Sequence, residues 1–340
     1  MVDLTQRQRP LGRYIPLLYL GFGVLLLLLG LFASLAYGAA SIPLGRIFTA
    51  LTTFDDSTEH LIVGTMRLPR ALIALMVGAS LAVAGALMQG LTQNPLASPA
   101  LLGVNAGAAS AVVVVIFGES ISNPPLITGA AFFGAAVAAV TVYLLGSLGP
   151  GGPTPLNLTV AGAALSALLG SVTTGVLILS QRSLEEIRFW LAGSLAGRDW
   201  NLFLTVLPWM VVGLLSALAL GRQLSTLSLG ESVAQGLGQQ TVRVKVATAA
   251  CVVVLAGSAV AVAGPIGFIG LVVPHLARGV VGLDYRWVLP CSAVLGAAML
   301  VWADLGARIV LRPQELPVGV MTTLLGAPFF LYLVRFQVKR

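Results

Sequence analysis

Few residues in this chain could do chemistry, and their spacing argues against most of it. His60 and His275 are not spaced as metal-ligand partners, and neither an H-E-x-x-H pair nor a G-x-S-x-G nucleophile turn occurs. Cys251 and Cys291 sit inside apolar runs, with no partner at a metal or redox spacing, and read as packing residues. Asp304 is the one acid within an apolar run; it stands one helical turn before Arg308, which predicts a local ion pair near a helix end. Without a buried relay of carboxylates, Asp304 alone is a thin basis for sodium or proton coupling. A G-x-x-x-x-G-K-[ST] phosphate loop is missing too, so the chain does not hydrolyse ATP by that route. No catalytic residue, metal ligand or cofactor is expected here, and any transport energy must come from a partner.

Two polar features remain. Arg67 and Arg70 bracket Leu68-Pro69, and alone they read as headgroup anchors, because arginine snorkels to interfaces. Leu224 to Lys245 is unusually polar for this chain. Within it, Glu231-Ser232-Val233-Ala234-Gln235-Gly236-Leu237-Gly238 predicts one short amphipathic helix closed by a glycine C-cap, suited to a partner's groove or merely to solvent.

What positions these residues must be a membrane bundle. The chain is 57% hydrophobic and 9% charged, with a mean hydropathy of +0.97, whereas a soluble domain carries roughly 25% charge. The basic residues are scattered between apolar segments without an aromatic platform, which excludes a nucleic-acid reading despite the pI near 10.0. Long uncharged runs in lipid must be helices, and the alternation of a barrel is absent.

The apolar stretch after Arg7, Arg9 and Arg13 ends in a cleavage-like Ser34-Leu35-Ala36, yet it is too long for a signal peptide and reads as the first span. Further spans are predicted near 71–90, 100–117, 126–148, 157–180, 200–220, 246–264, 266–281, 288–308 and 317–334, with short re-entrant pieces around 183–193 and 265–270. The fold class is thus all-α: one transmembrane domain over 1–340 with about ten helices, a cytoplasmic tail at 1–13 and a cytoplasmic loop at 222–245. Eleven of the nineteen basic residues fall on the side of the N-terminus and eight on the other, which predicts both termini in the cytoplasm.

Gly78 to Gly85 resembles Gly257 to Gly264, and a Leu-Ala pair follows each at a similar offset (Leu96-Ala97, Leu276-Ala277). Five helices per half would make the halves inverted, a transporter signature. Two stripes of small residues, Gly78-Ala82-Ala86-Gly90 and Gly162-Ser166-Gly170-Thr174, predict close helix packing.

Several long motifs, in order and nearly end to end, carry a family resemblance. They are Arg67-Leu68-Pro69-Arg70, Met88-Gln89 through Asn94-Pro95-Leu96-Ala97-Ser98-Pro99 to Leu102-Gly103-Val104, Glu231 to Gly238, Gly264-Pro265-Ile266-Gly267 through Pro274-His275, Glu315-Leu316-Pro317-Val318-Gly319, and Leu325-Gly326-Ala327-Pro328. Together they resemble the permeases of ABC importers for iron-siderophores, haem and vitamin B12.

The resemblance implies a dimer of ten-helix permeases in a bacterial cytoplasmic membrane, with the path at the dimer interface. The second permease would be an identical chain or a paralogue. It also implies two cytoplasmic ATPase subunits, which hold the ATP and magnesium, and an extracytoplasmic substrate-binding protein. Glu231, Ser232, Ala234, Gly236, Leu237 and Gly238 would form the helix seated on the ATPase. Arg67, Arg70 and Arg308 would meet acidic residues of the binding protein, and Asn94 and Leu96 would form one inner gate. The turn with Thr154 and Asn157 falls where the other gate belongs, although the basic residue expected near Asn157 is missing. Ferric siderophore is the favoured cargo, being the family's commonest, with haem and cobalamin as the others. The competing class is an ion-coupled secondary transporter relying on Asp304, and third comes a membrane scaffold or enzyme.

Overall fold

Local signals start and stop the helices before packing selects their faces. In the computed structural model, which describes residues 14–38, 42–53, 55, 57–118, 123–149, 154–198 and 200–336, the predicted tail at 1–13 lies outside the described residues. The chain runs through α1 (Ile15–Ala36), α2 (Leu44–Thr52), α3 (Thr58–Leu61), a wider π-helical stretch (Ile62–Arg67), and α4 (Leu68–Thr92). After a short 3-10 turn come α5 (Val104–Gly118), α6 (Pro124–Ser147), α7 (Pro155–Leu179) and α8 (Gln181–Leu191). The remainder is α9 (Trp200–Ala219), α10 (Gly221–Leu227), α11 (Glu231–Gly236), α12 (Thr241–Ala263), α13 (Ile269–Val281), α14 (Tyr285–Ile309) and α15 (Val318–Phe336). Proline opens α6 and α7 in the first turn, where no intrahelical N–H is lost, whereas Pro69 stands where the π-helical stretch passes into α4, and Gly64 O, five residues before it, accepts from Trp200 Nε1 at 3.0 Å.

Seven of these helices are long and apolar enough to cross a membrane, and α5, α13 and α15 supply three shorter apolar ones, so the ten predicted spans are all helical. The predicted piece at 183–193 is α8 with its following turn, where the Ser194 amide donates to Ala263 O and the Gly319 amide donates to Gly193 O. The piece at 265–270 is a break: α12 stops at Gly264 (φ +73°), and the chain turns helical again only after Phe268 (φ +67°).

The core is built around α4, which is buried along most of its length and packs on α14, α12, α13 and α9. In lipid no hydrophobic drive presses helices together, so close backbone approach has to provide the contact. A Cβ added to Gly85 would stand 1.8 Å from Gly270 O, and one on Gly78 would stand 2.3 Å from Gly296 O. In the first predicted stripe Gly78 and Ala82 abut Gly296, and Gly90 abuts Tyr285, so the stripe is a seam between α4 and α14, while Gly85, beside it, abuts α13. The second is only partly a seam, since Gly162 abuts Leu101 O but Gly170 faces open space. Helices α1 and α7 are exposed along most of their length.

Contacts follow the expected halves: α4 packs on α14 as α12 packs on α6, the second span of each half against the fourth of the other, and α4 and α12 pack together. The sequence match does not persist within them. Gly85 lies in the middle of α4 whereas Gly264 caps α12, and Leu96-Ala97 lies in a turn whereas Leu276-Ala277 is helical.

Candidate functional site: two ends of one helix

The residues singled out by sequence gather at the two ends of α4, whose 25 residues span about 37 Å. At its N-terminal end, Arg70 grips Asp304 with its Nε and Nη2 atoms (2.8–3.1 Å) and donates Nη1 to Glu315 Oε2 at 2.7 Å. Asp304 is fully buried and also pairs with Arg308 at 3.1 Å, so the predicted i,i+4 pair exists within a larger cluster. A carboxylate shared by two arginines is satisfied as an anion, which is the arrangement that makes burial of charge tolerable.

Arg67 and Arg308 reach in the opposite direction, to the end of α1. Arg67 Nη1 donates to Leu35 O (2.6 Å) and Ala36 O (2.9 Å), while Arg308 Nη1 donates to Ser34 O (3.1 Å) and Nη2 to Ser34 Oγ. These carbonyls are among the four that every helix leaves unpaired at its C-terminus, and the dipole there favours cations. The three predicted docking residues thus come together, but as an internal brace: Arg67 is 7% exposed and Arg308 4%. Sequence reasoning missed Glu315 and Arg198, although Glu315 stands in one of the quoted motifs. With Arg67, Arg70 and Arg308 they line a cavity of about 440 Å³, four arginines against Glu315 and the buried Asp304. A second cavity, of about 600 Å³, lies beside it among Trp190, Ser194, Thr128 and Pro317, and shares Gly197, Arg198 and Glu315 with the first.

At the C-terminal end of α4, Gln93 adopts a left-handed conformation (φ 52°) and donates Nε2 to Leu227 O at 2.9 Å. This ties α4 to the end of α10. The glycine cap predicted for α11 is a Schellman closure: the Gly238 amide (φ +79°) donates to Gln235 O and the Gln239 amide to Ala234 O. Glu231 pairs with Lys245 at 2.7 Å and accepts from Thr241 Oγ1 at 3.2 Å. The Lys245 ammonium holds the Glu231 carboxyl below its ordinary range. Ala234 is buried against Leu227 and Val244, so it anchors the motif rather than displaying it. Ser232, Gly236 and Gly238 are exposed, and Leu229, Val233 and Leu237 expose 65%, 47% and 69% of their surface at four-residue intervals. Of these three, sequence reasoning placed Val233 and Leu237 in the motif and singled out only Leu237 for a partner contact.

The four gate candidates lie at this same end, Asn94, Leu96 and Thr154 outside the helices and Asn157 in the first turn of α7. Asn94 Oδ1 accepts from the Leu96 amide (2.9 Å), fixing the turn after α4, and Thr154 Oγ1 accepts from the Asn157 amide (3.2 Å), capping α7. A cavity of about 130 Å³ joins the two regions and the Glu231 motif, lined by Gln93, Pro155, Leu158, Leu227, Glu231 and Lys245 among others. His275 lies inside α13, its ring edge-on to Phe329. Cys251 and Cys291 are buried free thiols, and among the described residues no three His, Cys, Asp or Glu side chains gather as a metal site.

Comparison with known proteins agrees with this architecture. The model of the FecCD transport family matches residues 26–336. The probable siderophore transport system permease protein YfiZ of Bacillus subtilis is 50% identical over 312 residues, covering 92% of this chain and 94% of the relative. The ferric enterobactin transport system permease protein FepD of Escherichia coli is 43% identical over 314 residues, covering 92% and 93%. A solved structure of a metal-chelate type ABC transporter in an inward-facing conformation superposes with a TM-score of 0.82 at 29% identity, covering 93% of this chain and 98% of that one. The family model spans most of the chain and the relatives are permease proteins matched along nine-tenths of its length: the chain is a membrane permease and belongs to the FecCD transport family.

Proposed function

We propose that this permease forms one wall of the translocation path of an ATP-driven importer for a ferric siderophore. It works as a single domain, 1–340, paired with a second permease, either an identical chain or a paralogue. One observation carries the reading: an exposed apolar stretch about α11 and a cation-rich cavity lie at opposite ends of one buried helix. The α11 end offers an apolar ridge (Leu229, Val233, Leu237) with Ser232 beside it, suited to a groove on a cytoplasmic ATPase. The other end offers a cation-rich cavity suited to acidic side chains of an extracytoplasmic binding protein. ATP and magnesium belong to the ATPase subunits. Both termini then lie in the cytoplasm, in keeping with the loop charges.

The exposed face of α7, where Thr159, Ser171 and Thr174 stand among alanines and larger apolar side chains such as Leu168 and Ile178, suits the path itself. Asn94, Leu96, Thr154 and Asn157 lie where a cytoplasmic gate between two permeases would close. Ferric siderophore is favoured because the 50% identical relative is named for siderophore transport. Ion coupling through Asp304 is disfavoured, since two arginines hold that carboxylate.

Reconstitution tests the reading. Vesicles holding the permease should take up a binding-protein-delivered ferric siderophore only after an ATPase subunit and ATP are supplied on the α11 side. Gradient-driven uptake by the permease alone would overturn it.

A further inference from the structure

The two carboxylates on Arg70 are held very differently. Asp304 is fully buried, takes both Nε and Nη2 of Arg70, and is clamped from behind by Arg308. Glu315 takes a single donor, Nη1, and its side chain is 35% exposed. It also lies between α14 and α15, outside any helix, so turning its side chain away breaks no helical hydrogen bond. Partly exposed ion pairs of this kind are weak, about 1 kcal/mol or less, whereas buried shared carboxylates are costly to disturb.

We propose that Glu315 is an exchangeable counter-ion: it occupies the edge of Arg70 that an acidic side chain of the binding protein takes on docking, and swings out when that side chain arrives. The proposal rests on the docking reading above and adds what docking must displace. Exchange of one carboxylate for another keeps the charge of the cavity balanced, so the incoming group loses none of its attraction to Arg67, Arg198 and Arg308 to an unpaired anion left inside. Because Glu315 borders both the arginine cavity and the larger one beside it, its departure also alters the wall between them.

Tetraglutamate serves as the probe, titrated calorimetrically at low ionic strength into the full chain in nanodiscs, where exposed charges are least screened. Glu315→Gln, which removes the internal competitor, should bind the peptide about fivefold more tightly than the unaltered chain, the scale of one partly exposed ion pair. Glu59→Gln removes the same charge from the pair with Arg46, outside this cavity, and should leave affinity unchanged. Arg70→Lys keeps the charge facing Asp304 but loses the fork, and should weaken binding. Peptide binding that falls in Arg70→Lys yet is unmoved by Glu315→Gln, or raised equally by Glu59→Gln, overturns the exchange while leaving docking intact. No binding, or binding indifferent to Arg70→Lys, overturns both.

Discussion

Asp304→Asn separates a structural carboxylate from an ion-coupling one. Asp304 accepts three hydrogen bonds from Arg70 and pairs with Arg308 at 3.1 Å, with no exposure to solvent. Asparagine keeps the shape but not the charge, and its amide turns N–H groups toward two buried guanidiniums. Removing one member of a buried ionic cluster costs about 3–5 kcal/mol. The lower end applies here, because the amide oxygen still accepts one bond and Glu315 remains on Arg70. Glu315→Gln breaks only the exposed arm and should cost less than about 1 kcal/mol. Reversible unfolding of the purified permease by SDS in mixed micelles, followed by tryptophan fluorescence, measures both. Asp304→Asn should unfold at a clearly lower SDS fraction than Glu315→Gln. Coincident curves would refute the brace and return Asp304 to the list of candidate coupling residues.

Three further outcomes are expected. Gly85→Val drives a side chain into Gly270 O and should cost about 3 kcal/mol or prevent assembly, seen as loss of a monodisperse peak. Gly170→Val, with open space before it, should elute unchanged. Leu237→Asp should leave SDS unfolding as it is but abolish co-purification with the ATPase subunit, since Leu237 is 69% exposed on the proposed ridge. The Glu231 carboxyl, lowered from 4.5 chiefly by the Lys245 hydrogen bond, contributes stability that is present above about pH 4.5 and lost as pH falls through its lowered value. Wild type should therefore exceed Lys245→Gln by less than about 1 kcal/mol near neutrality, with the two thermal profiles merging in acid.

The spans were legible because lipid leaves a chain no alternative to long apolar helices, and errors of a few residues at their ends come from capping. Pro124 and Pro155 let α6 and α7 start two residues before the predicted bounds, and α4 runs on from the π-helical stretch three residues before its own. Thr241 to Lys245 remains helical although polar, because α12 outruns its apolar stretch to pair Lys245 with Glu231. The Asp304–Arg308 pair was legible because i,i+4 spacing is local, whereas its stronger partner, Arg70, stands 234 positions away.

The arginines show most clearly where loop charge stops being informative. Cations on the side that topology leaves poor in them suggest an outside partner, but a helix end without a side-chain cap makes the same demand from inside. Helix α1 ends at Ala36 with no basic residue in its last turn, and Arg67 and Arg308 supply what it lacks. Guanidinium carries five donors, so bracing α1 does not by itself exhaust either residue. Reversing Arg67 to Glu would thus remove a cap and a proposed docking charge together, and lost transport would not say which mattered. Substitution at Glu315, which touches the cluster through one exposed bond, disturbs the proposed docking surface while leaving the brace in place.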